Sequence, residues 1–155
     1  MEMHDRISSD LGPPTLYHAV SQGALAIEVR GNDEEAIELC KRLTHWQTQY
    51  RCLAERACLR VLEGGCSVPV GVFTILEEDA STPRCGELTL TGCVTSLDGA
   101  THVEQTLTRR VMSATDAEEL GIEIAKTLLK DGARNILDEI KEDRARRVLL
   151  TSNDE

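Results

Sequence analysis

Apolar residues recur along the chain in two rhythms, and the change from one to the other marks out its elements. Tyr50, Leu53, Ala54, Ala57, Cys58 and Val61 follow helical spacing, with Arg56, Arg60 and Glu63 on the other side. The helix so predicted starts near Thr48 and runs out at Gly64-Gly65, because glycine accepts the left-handed conformation that closes a last turn. Upstream, Asn32 or Asp33 can cap a helix that carries Glu34 and Glu35 at the positive end of its dipole. Ala36, Ile37, Cys40 and Leu43 mark its apolar face, and it fades near His45-Trp46. Nearer the N-terminus, Leu25, Ile27 and Val29 alternate with Ala26, Glu28 and Arg30, which is the pattern of a half-buried strand. Residues 1–15 are polar, contain Gly12-Pro13-Pro14, and read as a loop.

Beyond Cys66 the period shortens to two. Val68, Val70, Val72, Thr74 and Leu76 make one face of a strand, and Pro69 near its start implies an edge position or an unpaired amide there. Leu88, Leu90 and Gly92 alternate with Thr89, Thr91 and Cys93 in a second strand. Asp98-Gly99 is a hairpin signal, and Val103, Leu107 and Val111 line one side of a third strand. Thr115-Asp116-Ala117-Glu118 reads as a capping box opening a helix that buries Leu120, Ile124, Ala125 and Leu128 and closes at Asp131-Gly132. A last helix carries Ile136, Leu137 and Ile140, and its charged end is expected to fray from Asp143. The expected fold class is α+β: a small three-stranded antiparallel sheet with helices packed on one face, preceded by a strand and a loop.

Charge and cysteine narrow the function. The 155 residues carry 17 basic against 27 acidic side chains, net −10, which argues against nucleic acid as a partner. No apolar run has the length of a membrane span and the N-terminus lacks a signal-peptide layout, so no membrane association and a cytoplasmic location are expected. Six cysteines, at 40, 52, 58, 66, 85 and 93, show no Cys-x-x-Cys spacing, and the four histidines are scattered, so reduced thiols and no metal are expected. Cys66 alone follows a double glycine, on accessible backbone suited to a nucleophile or attachment point.

Ala54-Glu55-Arg56 followed by Leu62-Glu63-Gly64-Gly65-Cys66 closely resembles the cofactor-attachment segment of the porphobilinogen deaminase (hydroxymethylbilane synthase) family. Ala19-Val20-Ser21-Gln22-Gly23-Ala24 is similar to that family's Ala-Val-Gly-Gln-Gly-Ala, with Ser21 in place of its first glycine, and the segment ends at Arg30, like the family's ligand-contacting arginine. Leu97-Asp98-Gly99, Gly121-Ile122 and residues 131–137 extend the likeness. The resemblance implies the C-terminal part of a three-domain enzyme. Residues 1–31 would be the remnant of the second domain and a strand returning to the first, 32–150 the cofactor-bearing domain, and 151–155 a tail.

By the same resemblance, the reaction condenses four porphobilinogen molecules into hydroxymethylbilane with loss of ammonia. A dipyrromethane cofactor, thioether-linked to Cys66 and contacted by Arg30, Arg56 and Gln22, would prime it. The implied partners are porphobilinogen and the polypyrrole chain, together with the missing N-terminal domains or a complementary chain. No catalytic residue is assigned here, because the catalytic aspartate would lie N-terminal to Met1, and the chain by itself is expected to be inactive. The alternative is a non-catalytic remnant acting only as a folded binding module.

Overall fold

A computed structural model describes residues 4–62 and 68–151. After a 3₁₀ turn at His4–Arg6 come helices α1 (Glu34–Leu43) and α2 (Trp46–Val61), then strands β1 (Val70–Glu78), β2 (Gly86–Thr95) and β3 (His102–Val111). Helix α3 (Ala114–Leu128) follows, and a π-helical turn at Leu129–Ala133 leads into α4 (Arg134–Thr151). Gly132 turns the chain there at φ 115°. The strands form an antiparallel meander in the order β1-β2-β3, which makes β1 an edge as Pro69 implied. Its register sets Val72 against Gly92, and Leu90 between Thr74 and Leu107.

That register sorts the side chains onto two faces. On the helix side, Val72, Leu88, Leu90, Val94 and Val111 are buried beneath Ala54, Cys58 and Leu62 of α2 and Leu120, Ile124 and Leu128 of α3. Each fully buried leucine or isoleucine is worth about 1.5–3 kcal/mol, so this layer is the main source of stability. Ile136, Leu137 and Ile140 of α4 join the same core. The helices approach closely at Gly121, where an added Cβ would stand 2.0 Å from the Ala54 carbonyl oxygen and 2.9 Å from the Ala57 Cβ.

The opposite face is polar and partly covered by the N-terminal segment. Thr89 pairs with Thr108 and Thr91 with Thr106 through hydroxyl contacts of 2.8 Å. His18 exchanges both backbone hydrogen bonds with Val72, at 3.0 and 2.8 Å, as a one-residue extension of the sheet beyond β1. Tyr17 then lies over Gly71, where a side chain would meet the Tyr17 Cβ at 2.5 Å. Its ring stacks on His102 at 6.5 Å. Glu104 beside the Tyr17 hydroxyl, by hydrogen bonding first and then burial and charge repulsion, pushes the phenol up to about 12.

Several expectations need correction. Residues 25–29 form no strand: Leu25 is 99% exposed and Ile27 64%, because no strand among the described residues lies beside them, and sheet pairing happens at His18 instead. Helix α1 is capped by Asp33, whose carboxylate accepts from the Ala36 amide, yet it buries none of its residues and leaves Leu39 and Leu43 exposed. Helix α2 starts two residues early, because the His45 ring caps it by accepting from the Thr48 amide. The N-cap of α3 is Ser113, not Thr115: its hydroxyl accepts from the Asp116 amide, while the Asp116 carboxylate accepts from the Met112 amide. Helix α4 continues past Asp143 to Thr151, supported by an Asp143–Arg147 ion pair one turn apart at 2.7 Å. The expected helix end at Gly64-Gly65 lies outside the described residues.

Two measurements check this packing. Gly121→Ala should cost about 1–3 kcal/mol or more in a urea titration, since the Ala54 carbonyl is backbone and cannot swing aside. Gly31→Ala, with nothing within 4 Å, should stay within about 0.5 kcal/mol of the parent. In a Tyr50→Phe background, which leaves Tyr17 as the one phenol of the two, ultraviolet titration should find it ionising at about 12. Adding Glu104→Gln should bring that value down toward the ordinary 10.0. Because the folded value lies above the unfolded one, the stability gained from the neutral phenol is complete below pH 10 and is lost as pH rises toward 12.

Candidate functional site

Four residues carry the functional expectation, and the structure treats them differently. Cys66 lies outside the described residues. The chain around it is held at both ends. Leu62, the C-cap of α2, is 1% exposed, and the Pro69 carbonyl accepts from the Thr95 amide at 3.1 Å as β1 begins.

The other five cysteines are free thiols. Cys58, Cys85 and Cys93 are buried. Burial pushes the Cys58 thiol up to about 12, and Cys93 is raised as well, again chiefly by burial. Those two thiols are therefore protonated and sheltered at neutral pH, and inert as nucleophiles.

Arg56 projects into solvent from the exposed side of α2. Its neighbours on that helix are engaged. Arg51 donates from Nε to the Thr74 hydroxyl and from Nη2 to the Thr74 carbonyl, both at 2.9 Å, and Arg60 pairs with Glu118 at 3.3 Å. Arg56 has no such partner among the described residues. Arg30 sits on the loop before α1, 86% exposed, with the Asp33 carboxylate 4.0 Å away.

Gln22 is exposed in a tight turn, its amide bonded to the Ala19 carbonyl at 3.0 Å and the Ala24 amide bonded to the Ser21 carbonyl at 3.1 Å. The turn passes through left-handed backbone at Ser21 (φ 60°) and Gly23 (φ 81°). It is fastened to α2 by the Ser21 amide, which donates to Glu55 Oε2 at 2.7 Å. The structure thus brings the Gln22 turn against the helix that carries Arg56, and joins Arg30 only to the cap of α1.

Sequence reasoning assigned no role to Glu55, although it stands in the Ala54-Glu55-Arg56 likeness, nor to Arg51. Glu55 is 8% exposed and also accepts from the Thr74 hydroxyl at 2.6 Å. Their spacing of four along α2 was the available signal, although alone it reads as a surface pair. Trp46 packs edge-on to Tyr50 at 5.3 Å, as a helix-end packing residue should.

The surface of the described residues includes depressions of about 240 and 230 Å³. One is lined by Lys41, Thr44, Gln49 and Arg84, and the other by Glu77, Glu78, Asp79, Gly86, Glu87 and Arg110. Neither touches Gln22, Arg30 or Arg56, all three of which are exposed. Among the described residues there is no cluster of His, Cys, Asp and Glu arranged for a metal, and no helix long and apolar enough to cross a membrane.

Comparison with known proteins agrees with this architecture. The family described as "Porphobilinogen deaminase, C-terminal domain" matches residues 49–130. Porphobilinogen deaminase of Schizosaccharomyces pombe is 47% identical over 138 residues, covering 88% of this chain and 40% of the relative. That of Synechococcus elongatus is 49% identical over 142 residues, 90% of this chain and 41% of the relative. The Chlorobium limicola protein is 41% identical over 145 residues, 93% and 44% respectively. The chain therefore spans about 40% of the length of the relatives it matches. Residues 49–130 run from the first turns of α2, through the sheet, to the end of α3, and with more than half of its length inside that match the chain belongs to the porphobilinogen deaminase family.

Proposed function

We propose that this chain is the cofactor-bearing C-terminal portion of a porphobilinogen deaminase, the transferase that joins four porphobilinogen molecules into hydroxymethylbilane and releases ammonia. In this reading residues 32–150 are the cofactor domain, residues 1–31 belong to the preceding domains, and Cys66 holds a dipyrromethane through a thioether. The observation that carries it, beside family membership, is the state of the arginines on α2. Arg51 and Arg60 are engaged within the chain, whereas Arg56, on the helix leading into Gly64-Gly65-Cys66, is exposed and has no ion-pair or hydrogen-bond partner among the described residues.

The donor set fits such a group. Each pyrrole of the substrate carries an acetate and a propionate, and guanidinium forks bind carboxylates bidentately. Arg56 and the 86% exposed Arg30 supply that charge, and Gln22 adds amide hydrogen bonds from its turn. Cys66 supplies the thiol in this reading, whereas Cys58 and Cys93 are buried. When bound, the dipyrromethane supplies the primer on which the product grows. The chain's own residues anchor and orient. Proton transfer is left to residues outside this segment, and in this reading the chain alone does not turn over porphobilinogen.

Intact mass tests the anchor. The full-length enzyme containing this segment should carry the dipyrromethane increment, and Cys66→Ser should lack it, while Cys52→Ser and Cys93→Ser keep it. An unchanged increment in Cys66→Ser would move the anchor elsewhere. The arginines are tested by Arg56→Leu and Arg30→Leu in the same enzyme. A charge-assisted hydrogen bond is worth about 1.5–3 kcal/mol, so each change should slow primer assembly or elongation more than tenfold at unchanged fold. Wild-type rates would leave those side chains in solvent.

A further inference from the structure

Along the edge of α2 that faces β1, Gln47, Arg51 and Glu55 follow one another at intervals of four, and each reaches across. Gln47 donates to the Glu78 carboxylate at 2.9 Å. Arg51 donates twice to Thr74, and Thr74 in turn donates to Glu55 Oε1 at 2.6 Å. The direction of that last bond is forced. Guanidinium nitrogens only donate, so Arg51 Nε takes a lone pair of the Thr74 hydroxyl, and the single hydroxyl proton is left for Glu55. The second carboxylate oxygen accepts from the Ser21 amide. A hydroxyl and an amide therefore converge on Glu55, and a carboxylate, which is acceptor-only, satisfies both at once.

Ser21 is an unfavourable place for the chain. A residue with a Cβ stands there at φ 60°, and its Oγ is buried with no hydrogen-bond partner. Such a conformation persists only where its surroundings over-determine it. Among the described residues, the bond from its own amide to Glu55 is the hydrogen bond that ties it to a side chain outside the turn. The next residue is Gln22, whose backbone is locked by the flanking turn bonds.

We propose that Glu55 is a positioning residue: through the Ser21 amide it sets the Gln22 turn at a fixed offset from α2, and so from Arg56, the next residue of that helix. The proposal rests on the reading above that Gln22 and Arg56 contact the primer. Arg51 and Thr74 act behind Glu55 by orienting its carboxylate. Glutamine at position 55 does not reproduce the arrangement: its NH₂ group either faces the Ser21 amide or takes the place of the acceptor for the Thr74 hydroxyl proton, and the charge that strengthens both bonds is lost.

The test has two arms. In this 155-residue chain, the Ser21 amide should be protected from hydrogen exchange, and Glu55→Gln should cut that protection about tenfold or more. Equal exchange in both proteins would overturn the proposal. In the full-length enzyme containing this segment, Glu55→Gln and Gln22→Ala should each slow elongation by about tenfold, and the double variant should be no slower than either. Multiplying defects, or a wild-type rate for Glu55→Gln, would reduce Glu55 to a structural role and overturn the proposal. Cys66→Ser and Arg56→Leu run alongside: if those two behave as wild type, the primer-site reading itself fails, whatever Glu55 does.

Discussion

The close approach of α2 and α3 at Gly121 is the constraint on which the rest depends. With no Cβ there, the Ala54 backbone can lie against α3, and both helices can sit side by side on a sheet only three strands wide. A larger residue would lift one helix, and Cys58, Leu62, Ile124 and Leu128 would lose contact with the sheet together. Gly92 plays the matching part from below: its missing side chain leaves room for Leu128 and Cys58 over the central strand. The functional edge of α2 inherits this placement. Glu55 meets Thr74, and Arg56 turns outward, because Ala54 and Ala57 between them are pinned at zero exposure.

Most of the fold was legible because each buried face repeats at the period of its element. The meander, the Asp98-Gly99 hairpin and the burial of Ile136, Leu137 and Ile140 followed from pattern alone. Failures came where two readings shared one pattern. Ser113 and Thr115 are each followed three residues later by an acid, and only the path of the chain leaving Val111 selects Ser113 as the cap. Alternation at Leu25, Ile27 and Val29 is a demand for a partner sheet, and no described strand lies beside them, so they stay exposed. The exposed Leu39 and Leu43 of α1 make the same demand.

The candidate site was legible in a different way. Cys66, Arg30, Arg56 and Gln22 came from motif likeness, which names residues without saying how they are held. Glu55 and Arg51 belong to the same helix; Glu55 stands inside the Ala54-Glu55-Arg56 likeness with no role attached to it, and Arg51 carries no motif signal. Their role depends on which strand residue stands opposite, and Thr74 is brought there only by the sheet. A glutamate among alanines on a helix looks solvated until a hydroxyl and an amide from distant parts of the chain are seen to converge on it.

The bonds of Arg51 to Thr74 have one more effect. An edge strand offers its outward amides and carbonyls to any passing chain, and such edges seed self-association. On β1, Val72 and Thr74 share the outward orientation. Val72 is spent on His18, and the Thr74 carbonyl is covered by the Arg51 guanidinium. The β1 edge of the sheet is thus partly covered by one backbone bridge and one side chain, at two of the positions where an intruding strand would register.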